Sequence, residues 1–232
     1  MSLYRTTFLN RHTVLPVIHV VTKEQTLRNM EIAVTCGADG VFLINHNSGA
    51  SSLIEIYWEV RKEFPDVWVG MNMLGIEPIK AYDLLPLGTD GLWVDDGGIR
   101  NSGDCSEAAD FFAATRMMGS AWHGLYFGGV AFKYQEDIDD PAQAAKLAVP
   151  FIDVITTSGK GTGFAAEVEK IRVMKEAIGS HPLAIASGIS PENVRDYLPY
   201  ADCFLVATDV SDSHTELNSE RVRALVDVVR TG

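Results

Sequence analysis

Four side chains with the chemistry of proton transfer, anion binding or metal ligation stand at or just after short apolar runs. His19 lies at the end of Val14 to Val20, Asp95 and Asp96 follow Gly91 to Val94, and Lys133 follows Leu125 to Phe132. A carboxylate such as Asp95 can serve as general base or accept a sugar hydroxyl, and His19 can assist proton transfer. Lys133 can bind an anion, stabilise developing negative charge, or act as a Schiff-base nucleophile if burial lowers its pKa. Asp95 and Asp96 together can hold Mg²⁺. Each has a plain structural alternative: adjacent carboxylates also cap turns, and a lysine can simply begin the loop Tyr134-Gln135-Glu136-Asp137. No HExxH motif or compact His/Cys grouping in the sequence supports zinc, and His46 serves loop stability as well as it serves chemistry. His12, His123, His181 and His214 are read as structural.

Two glycine-containing loops add an anion grip. The apolar run ending at Thr157-Ser158 continues into Gly159-Lys160-Gly161-Thr162-Gly163, and Leu183 to Ser187 leads into Gly188-Ile189-Ser190-Pro191. Strand, polar glycine loop, helix start is the order that aims backbone N–H groups and hydroxyls at a phosphate or carboxylate. Ser158, Gly159, Lys160, Gly161, Thr162, Gly163, Ser187 and Gly188 are therefore the expected phosphate-binding residues. Asn45, Asn72, Thr208 and Asp209 complete the polar ends of the remaining strands. Asp209 is the discordant member, since a carboxylate there opposes phosphate unless it faces away or takes a sugar hydroxyl.

These residues need a frame that gathers them. Strands are expected at Val14–Val20, Val41–Asn45, Val67–Asn72, Gly91–Asp95, Leu125–Phe132, Ile152–Thr157, Leu183–Ser187 and Asp202–Ala207. Helical patterns separate them, over Thr22–Cys36, Ser52–Phe64, Ile76–Leu85, Ser106–Met118, Pro141–Ala148, Ala165–Ile178 and Pro191–Leu198, with Ser219–Val229 last. Eight strands alternating with helices make a parallel, closed α/β barrel, a single (β/α)8 TIM barrel over residues 14–232 behind a lead segment, 1–13. The turns Gly37-Ala38-Asp39-Gly40, Gly88-Thr89-Asp90-Gly91 and Tyr200-Ala201-Asp202 repeat one wording. No GxGxxG follows the first strand, and the glycine loop lacks Walker spacing, so neither a dinucleotide fold nor a P-loop is indicated.

The bulk composition agrees. A chain of 232 residues with 47% apolar content suits one substantial core, and no run has the length of a membrane span. The formal net charge of −12, with dispersed Lys and Arg, disfavours nucleic acid. Cys36, Cys105 and Cys203 are odd in number and far apart, which suits reduced thiols. The opening Met1 to Thr13 lacks a signal-peptide core, so a cytoplasmic location is expected.

The pieces Ile18-His19, Gly37-Ala38-Asp39-Gly40, Thr157-Ser158-Gly159 with Thr162-Gly163, Ser187-Gly188-Ile189-Ser190-Pro191-Glu192-Asn193-Val194 and Ala201-Asp202 resemble the BtpA family. That family falls within the broader phosphate-binding TIM-barrel class. The resemblance implies an anion-compatible site near Ser158, Gly159, Thr162, Gly163, Ser187 and Gly188. Two departures stand out: His19 leads to Val20-Val21-Thr22 without a proline-rich continuation, and Ala207-Thr208-Asp209 replaces a glycine-centred last loop. The leading expectation is an enzyme of a phosphorylated sugar, nucleoside or related small metabolite, cleaving or transferring at a glycosidic carbon or isomerising the sugar. A Mg²⁺-assisted lyase or transferase is the second account. A noncatalytic assembly or regulatory barrel, as the resemblance allows, is the third. No cofactor beyond Mg²⁺ is suggested; homo-oligomerisation suits a compact barrel.

Overall fold

Eight parallel strands hydrogen-bond in the order β1 to β8 and close back on β1 in this computed structural model. Described are residues 2–46, 49–101, 103–119 and 122–232; Met1 of the expected lead segment and Ser102 of the long loop after the fourth strand lie outside them. The strands are β1 Thr13–Val20, β2 Val41–Asn45, β3 Val69–Asn72, β4 Gly91–Val94, β5 Leu125–Gly129, β6 Val154–Thr157, β7 Leu183–Ala186 and β8 Cys203–Val206. Helices follow as α1 Leu3–Thr7, α2 Lys23–Thr35, α3 Ala50–Glu63, α4 Pro78–Leu84, α5 Glu107–Met117, α6 Pro141–Ala148, α7 Val168–Ile178 and α8 Ser219–Thr231. The expected (β/α)8 barrel is borne out. No helix among the described residues is long and apolar enough to cross a membrane.

Strand alternation divides the apolar residues into two cores. Leu15, Val17, Phe42, Ile44, Trp93, Phe127, Val154, Ala184 and Leu205 fill the barrel interior, while Val14, Ile18, Leu43, Met71, Leu92 and Ile155 pack outward against the helices. Phe42 meets Trp93 and Phe127 edge-on at centroid distances of 5.6 and 5.1 Å. Gly70 makes room for it: a Cβ there would stand 2.3 Å from the Phe42 ring. At the N-terminal end, α1 inserts Tyr4 and Phe8 into the same interior cluster. The Tyr4 hydroxyl donates to Thr13 Oγ1 and the Asp202 carbonyl at 2.8 Å each.

The recurrent turn wording has a structural cause. Asp39, Asp90, Asp153 and Asp202 each stand just before an even-numbered strand. Each accepts the backbone N–H of a residue on the preceding odd strand: Val14 at 2.7 Å, Val69 at 2.8 Å, Tyr126 at 2.8 Å and Leu183 at 2.9 Å. In return each Asp backbone N–H donates to the carbonyl of that same residue. The barrel is thus built as four similar two-strand units, including a fourth, Phe151-Ile152-Asp153, whose wording hides the repeat. Arg230 pairs with Asp39, Arg61 with Asp90, and both Arg5 and Lys175 with Asp202.

One expected helix is corrected. Pro191–Leu198 forms only a 3-10 turn, Val194–Asp196. The main-chain bonds of this segment stay short: the Asp196 N–H donates to the Asn193 carbonyl and the Tyr197 N–H to the Val194 carbonyl, each three residues back. Turns of this i→i−3 kind run for only a few residues, and Pro199 removes the next N–H and disfavours helical geometry at Leu198. A second 3-10 turn, Thr208–Val210, follows β8.

Candidate active site at the C-terminal mouth

The pleat that sends Leu15, Val17, Phe42, Ile44 and Trp93 into the barrel sends the next residues of the same series to its mouth. Continuing by twos gives His19 on β1, His46 past β2 and Asp95 past β4; Asn72 ends the series begun by Gly70 on β3. Asn45 and Asp96 fall on the opposite parity. Their bonds follow: Asn45 Oδ1 accepts from the Leu74 N–H at 2.9 Å, and Asp96 takes both guanidinium nitrogens of Arg100 at 2.8 and 2.9 Å. The Gly98 N–H also donates to Asp96. Asp95 and Asp96 are therefore held by different partners, Asn72 and Arg100, while both line one cleft.

Asp95 accepts from Asn72 Nδ2 at 3.1 Å. Burial pushes its carboxyl pKa above the ordinary range, while the Asn72 bond and the Lys133 charge pull it back. Lys133 moves the other way: burial lowers its pKa and Asp95 opposes the shift. Its Nζ donates to Thr162 Oγ1 at 3.2 Å. Lys133 thus connects the carboxylate after β4 with the glycine loop after β6. Asp95 and Asp96 line a cleft of about 610 Å³ beside the β3 and β4 ends. Lys133, Lys160 and Lys170 line a second of about 760 Å³ between the β5 and β6 loops.

The glycine loops pack closely on one another. Ser158 is fully buried; its hydroxyl accepts from the Lys133 N–H at 2.8 Å and donates to the Gly159 carbonyl at 2.9 Å. It therefore ties the loop after β5 to the start of the loop after β6. Gly188, at φ +70°, lies so close to the neighbouring loop that a Cβ would stand 2.2 Å from the Ala165 nitrogen. A Cβ on Gly159 would meet the Phe164 carbonyl at 2.3 Å. Ser187 Oγ accepts from the Gly163 N–H at 3.0 Å, joining the β6 and β7 loops. Thr162, Gly163 and Thr208 are exposed; Gly161 and Ser187 are half-buried. Asp209 is half-buried, its carboxyl pKa raised by burial and by Glu192 against the opposing pull of Arg221. Its carbonyl accepts from Arg221 Nε at 2.6 Å. The relation to Arg221 and Glu192 sets Asp209 apart from the bond that links Lys133 to Thr162.

Across the mouth from Lys133, three histidines converge. The rings of His19 and His214 are 4.1 Å apart, His19 and His46 4.5 Å, and His46 and His214 4.9 Å. One potential ligand atom from each lies within 4.8 Å of the others, so the cluster can coordinate a metal ion. Burial, then His214, His46 and Lys133 in that order, depress the His19 pKa to about 3. His46 is lowered as well, by burial, His214 and Lys133. His214, which the sequence left among structural histidines, arrives on the loop between the last 3-10 turn and α8. Gln25 and Asn29 of α2 fix that loop, donating to the Thr215 carbonyl at 2.6 and 2.7 Å. Gln25 Nε2 also donates to the His19 carbonyl at 3.2 Å. No local motif signals this arrangement, because its members lie on three segments brought together only by barrel closure.

The comparisons agree with the sequence resemblance. Residues 132–231 match the model of the BtpA family, bearing out the resemblance over that stretch. An uncharacterized protein of Thermococcus kodakarensis is 35% identical over 81 residues, 34% of this chain and 31% of its own length. One of Pyrococcus abyssi is 30% identical over 82 residues, again 34% and 31%. The matched stretch thus spans about a third of the length of these relatives. Among solved structures, (S)-3-O-geranylgeranylglyceryl phosphate synthase of Thermoplasma acidophilum, in complex with sn-glycerol-1-phosphate, superposes with a TM-score of 0.71. It is 14% identical with full coverage of both chains. Phosphoribosylanthranilate isomerase of Thermotoga maritima gives 0.67 at 15% identity, covering 95% of this chain and all of that one. At such identities the likeness is one of fold.

Proposed function

We propose that this BtpA-like barrel is an enzyme acting on a phosphorylated small metabolite, a sugar or nucleoside phosphate, bound across the C-terminal mouth. The observation that carries the reading is the placement of Lys133. Its ammonium reaches Thr162 on the glycine loop, and its charge acts on Asp95 across the β4 end. Burial raises the Asp95 pKa and lowers that of Lys133, and groups shifted toward neutrality in this way are suited to acid–base work. Asp95 takes or returns the proton, with Asn72 orienting its carboxylate. Lys133 stabilises the negative charge that develops, and His19 assists proton transfer from the opposite rim. Thr162, Gly163, Ser187, Gly188 and Lys160 take the phosphate, with Thr208 at its edge. Both glycosidic-bond cleavage or transfer and sugar isomerisation use this equipment. The names of the two superposed enzymes, each with a phosphorylated molecule, are in keeping with the class.

The test is a panel of sugar phosphates and nucleotides beside their dephosphorylated counterparts, read by thermal shift and by product analysis. Stabilisation confined to phosphorylated members, and weakened at least tenfold by Lys133→Met, is expected. Equal binding of the dephosphorylated compounds, or indifference to Lys133→Met, would sink the proposal.

A further inference from the structure

Two of the three histidines have no part in that chemistry, and the grouping has a chemistry of its own in which His19 serves as a ligand and leaves the proton work to Asp95. We propose that His19, His46 and His214 form a binding site for one first-row transition-metal ion of the Zn²⁺ type, with a coordination position left open toward the barrel mouth. Three imidazole nitrogens select such ions over Mg²⁺ and Ca²⁺, which take oxygen ligands. Among the described residues this is the one group of three or more His, Cys, Asp or Glu side chains with ligand atoms within 4.8 Å of one another. A second observation comes from the buried partner: His19 Nδ1 is buried with no hydrogen-bond partner among the described residues. A buried imidazole nitrogen without a partner is costly unless something else occupies it.

The distances leave a defined adjustment. Nitrogens at about 2.0–2.1 Å from a tetrahedral ion stand roughly 3.4 Å apart. Closing the observed spread to that value takes a contraction on the order of 1 Å, within reach of side-chain rotation at the two exposed members, His46 and His214. The scaffold beneath is tight. β1 and β2 are hydrogen-bonded in register, His19 opposite Ile44, two residues before His46. The His214 loop is held by Gln25 through the Thr215 carbonyl and by Asn29, whose Oδ1 accepts the Leu217 N–H at 2.8 Å. Gln25 bonds the carbonyl beside one ligand and that of another, so it fixes the separation of His19 and His214. Support of this kind, one layer behind the ligands, is what gives metal sites their geometry. Three protein ligands leave a fourth position for water or a substrate oxygen, on the rim facing Lys133. An ion there supplies a Lewis acid without the Asp95–Asp96 pair.

The experiment needs no substrate, so its failure is separable from failure of the phosphometabolite reading. Untagged protein is stripped with chelator and dialysed against Zn²⁺ or Co²⁺, with metal content, the visible spectrum of Co²⁺ and thermal melting as readouts. Expected are one ion per chain, a tetrahedral-type Co²⁺ spectrum and a raised melting temperature. His46→Gln and His214→Gln, both at exposed positions, should each weaken binding at least tenfold while melting cooperatively without metal. His123→Gln, an exposed change at the opposite end of the barrel, should bind as the parent does. Absence of saturable binding, or binding that His46→Gln and His214→Gln leave unaltered, would overturn the site.

Discussion

The two ends of this barrel are organised by opposite rules. At the N-terminal end four carboxylates perform one task four times, each accepting a strand N–H and returning its own N–H to the same residue. At the C-terminal end the polar residues differ from strand to strand: His19, His46, Asn72, Asp95, Lys133 and Ser158 have different partners and different burial. Parallel strands all expose N–H groups at one end and carbonyls at the other, so a carboxylate is the matching clamp below. Repetition there stabilises the closed sheet. Broken symmetry above leaves groups unpaired, displaced in pKa or stacked on their own kind, and that is where chemistry is concentrated in barrels.

The two ends should answer substitution in opposite ways. Asp202 is 8% exposed at its side chain and serves Arg5, Lys175 and the Leu183 N–H together. Asp202→Ala leaves two cations without their carboxylate and should cost about 3–5 kcal/mol of stability, measured by urea unfolding. Turnover per folded molecule should change little. Asp95→Asn should do the reverse, lowering turnover of a substrate found in the panel by roughly 10²–10⁴-fold with cooperative unfolding retained. If Asp202→Ala is nearly neutral in stability, or Asp95→Asn leaves turnover intact, the division between the two ends does not hold.

A smaller effect distinguishes two glycines at the mouth. Gly188 and Gly75 share positive φ, +70° and +75°, but only Gly188 has backbone where a Cβ would go. Gly75→Ala should cost about 1–2 kcal/mol, the conformational penalty alone. Gly188→Ala adds a contact that forces the β6 and β7 loops apart and should cost roughly twice as much. Equal melting temperatures for the two variants would show that the loops are not closely docked.

How far this was legible from the residues follows from the same contrast. Eight apolar runs separated by helical patterns give the barrel, because strand burial leaves a continuous signature. Alternation within β1 and β4 also marks His19 and Asp95, since each continues a series of interior residues. The His214 side of the mouth is illegible: a ligand on a loop, placed by Gln25 and Asn29 of α2, has no spacing relative to His19 that a local pattern contains. The glycine motifs suggest anion contacts; in the structure Gly188 permits the β7 loop to touch the β6 loop, Gly159 lets the β6 loop fold back on Phe164, and Ser158 ties the β5 loop to the β6 loop. Both uses demand the same small residues. The segment after β7 shows the limit for helices, because bonds reaching only three residues back and Pro199 stop after one turn the helix that Pro191–Leu198 suggests.

The smallest effect tests whether the C-terminal end has a clamp of the complementary sign. Lys170 of α7 donates its ammonium to the Ala131 and Ser158 carbonyls at 2.6 and 2.8 Å, joining the β5 and β6 loops as the carboxylates join strands below. Burial lowers its pKa to about 8, with Glu167 opposing. In the unfolded chain a lysine titrates near 10.4. Below pH ~8 both states hold the proton, whereas between pH ~8 and ~10.4 only the unfolded chain does, so stability rises with pH through that window. Other groups titrate there too, which is why the difference from Lys170→Met matters. The stability advantage of the parent over that variant should widen from about pH 7.5 to about pH 9.5. A difference that stays flat would mean that the Ala131 and Ser158 carbonyls and Glu167 offset the desolvation of the ammonium in full, leaving no net cost of holding the charge there.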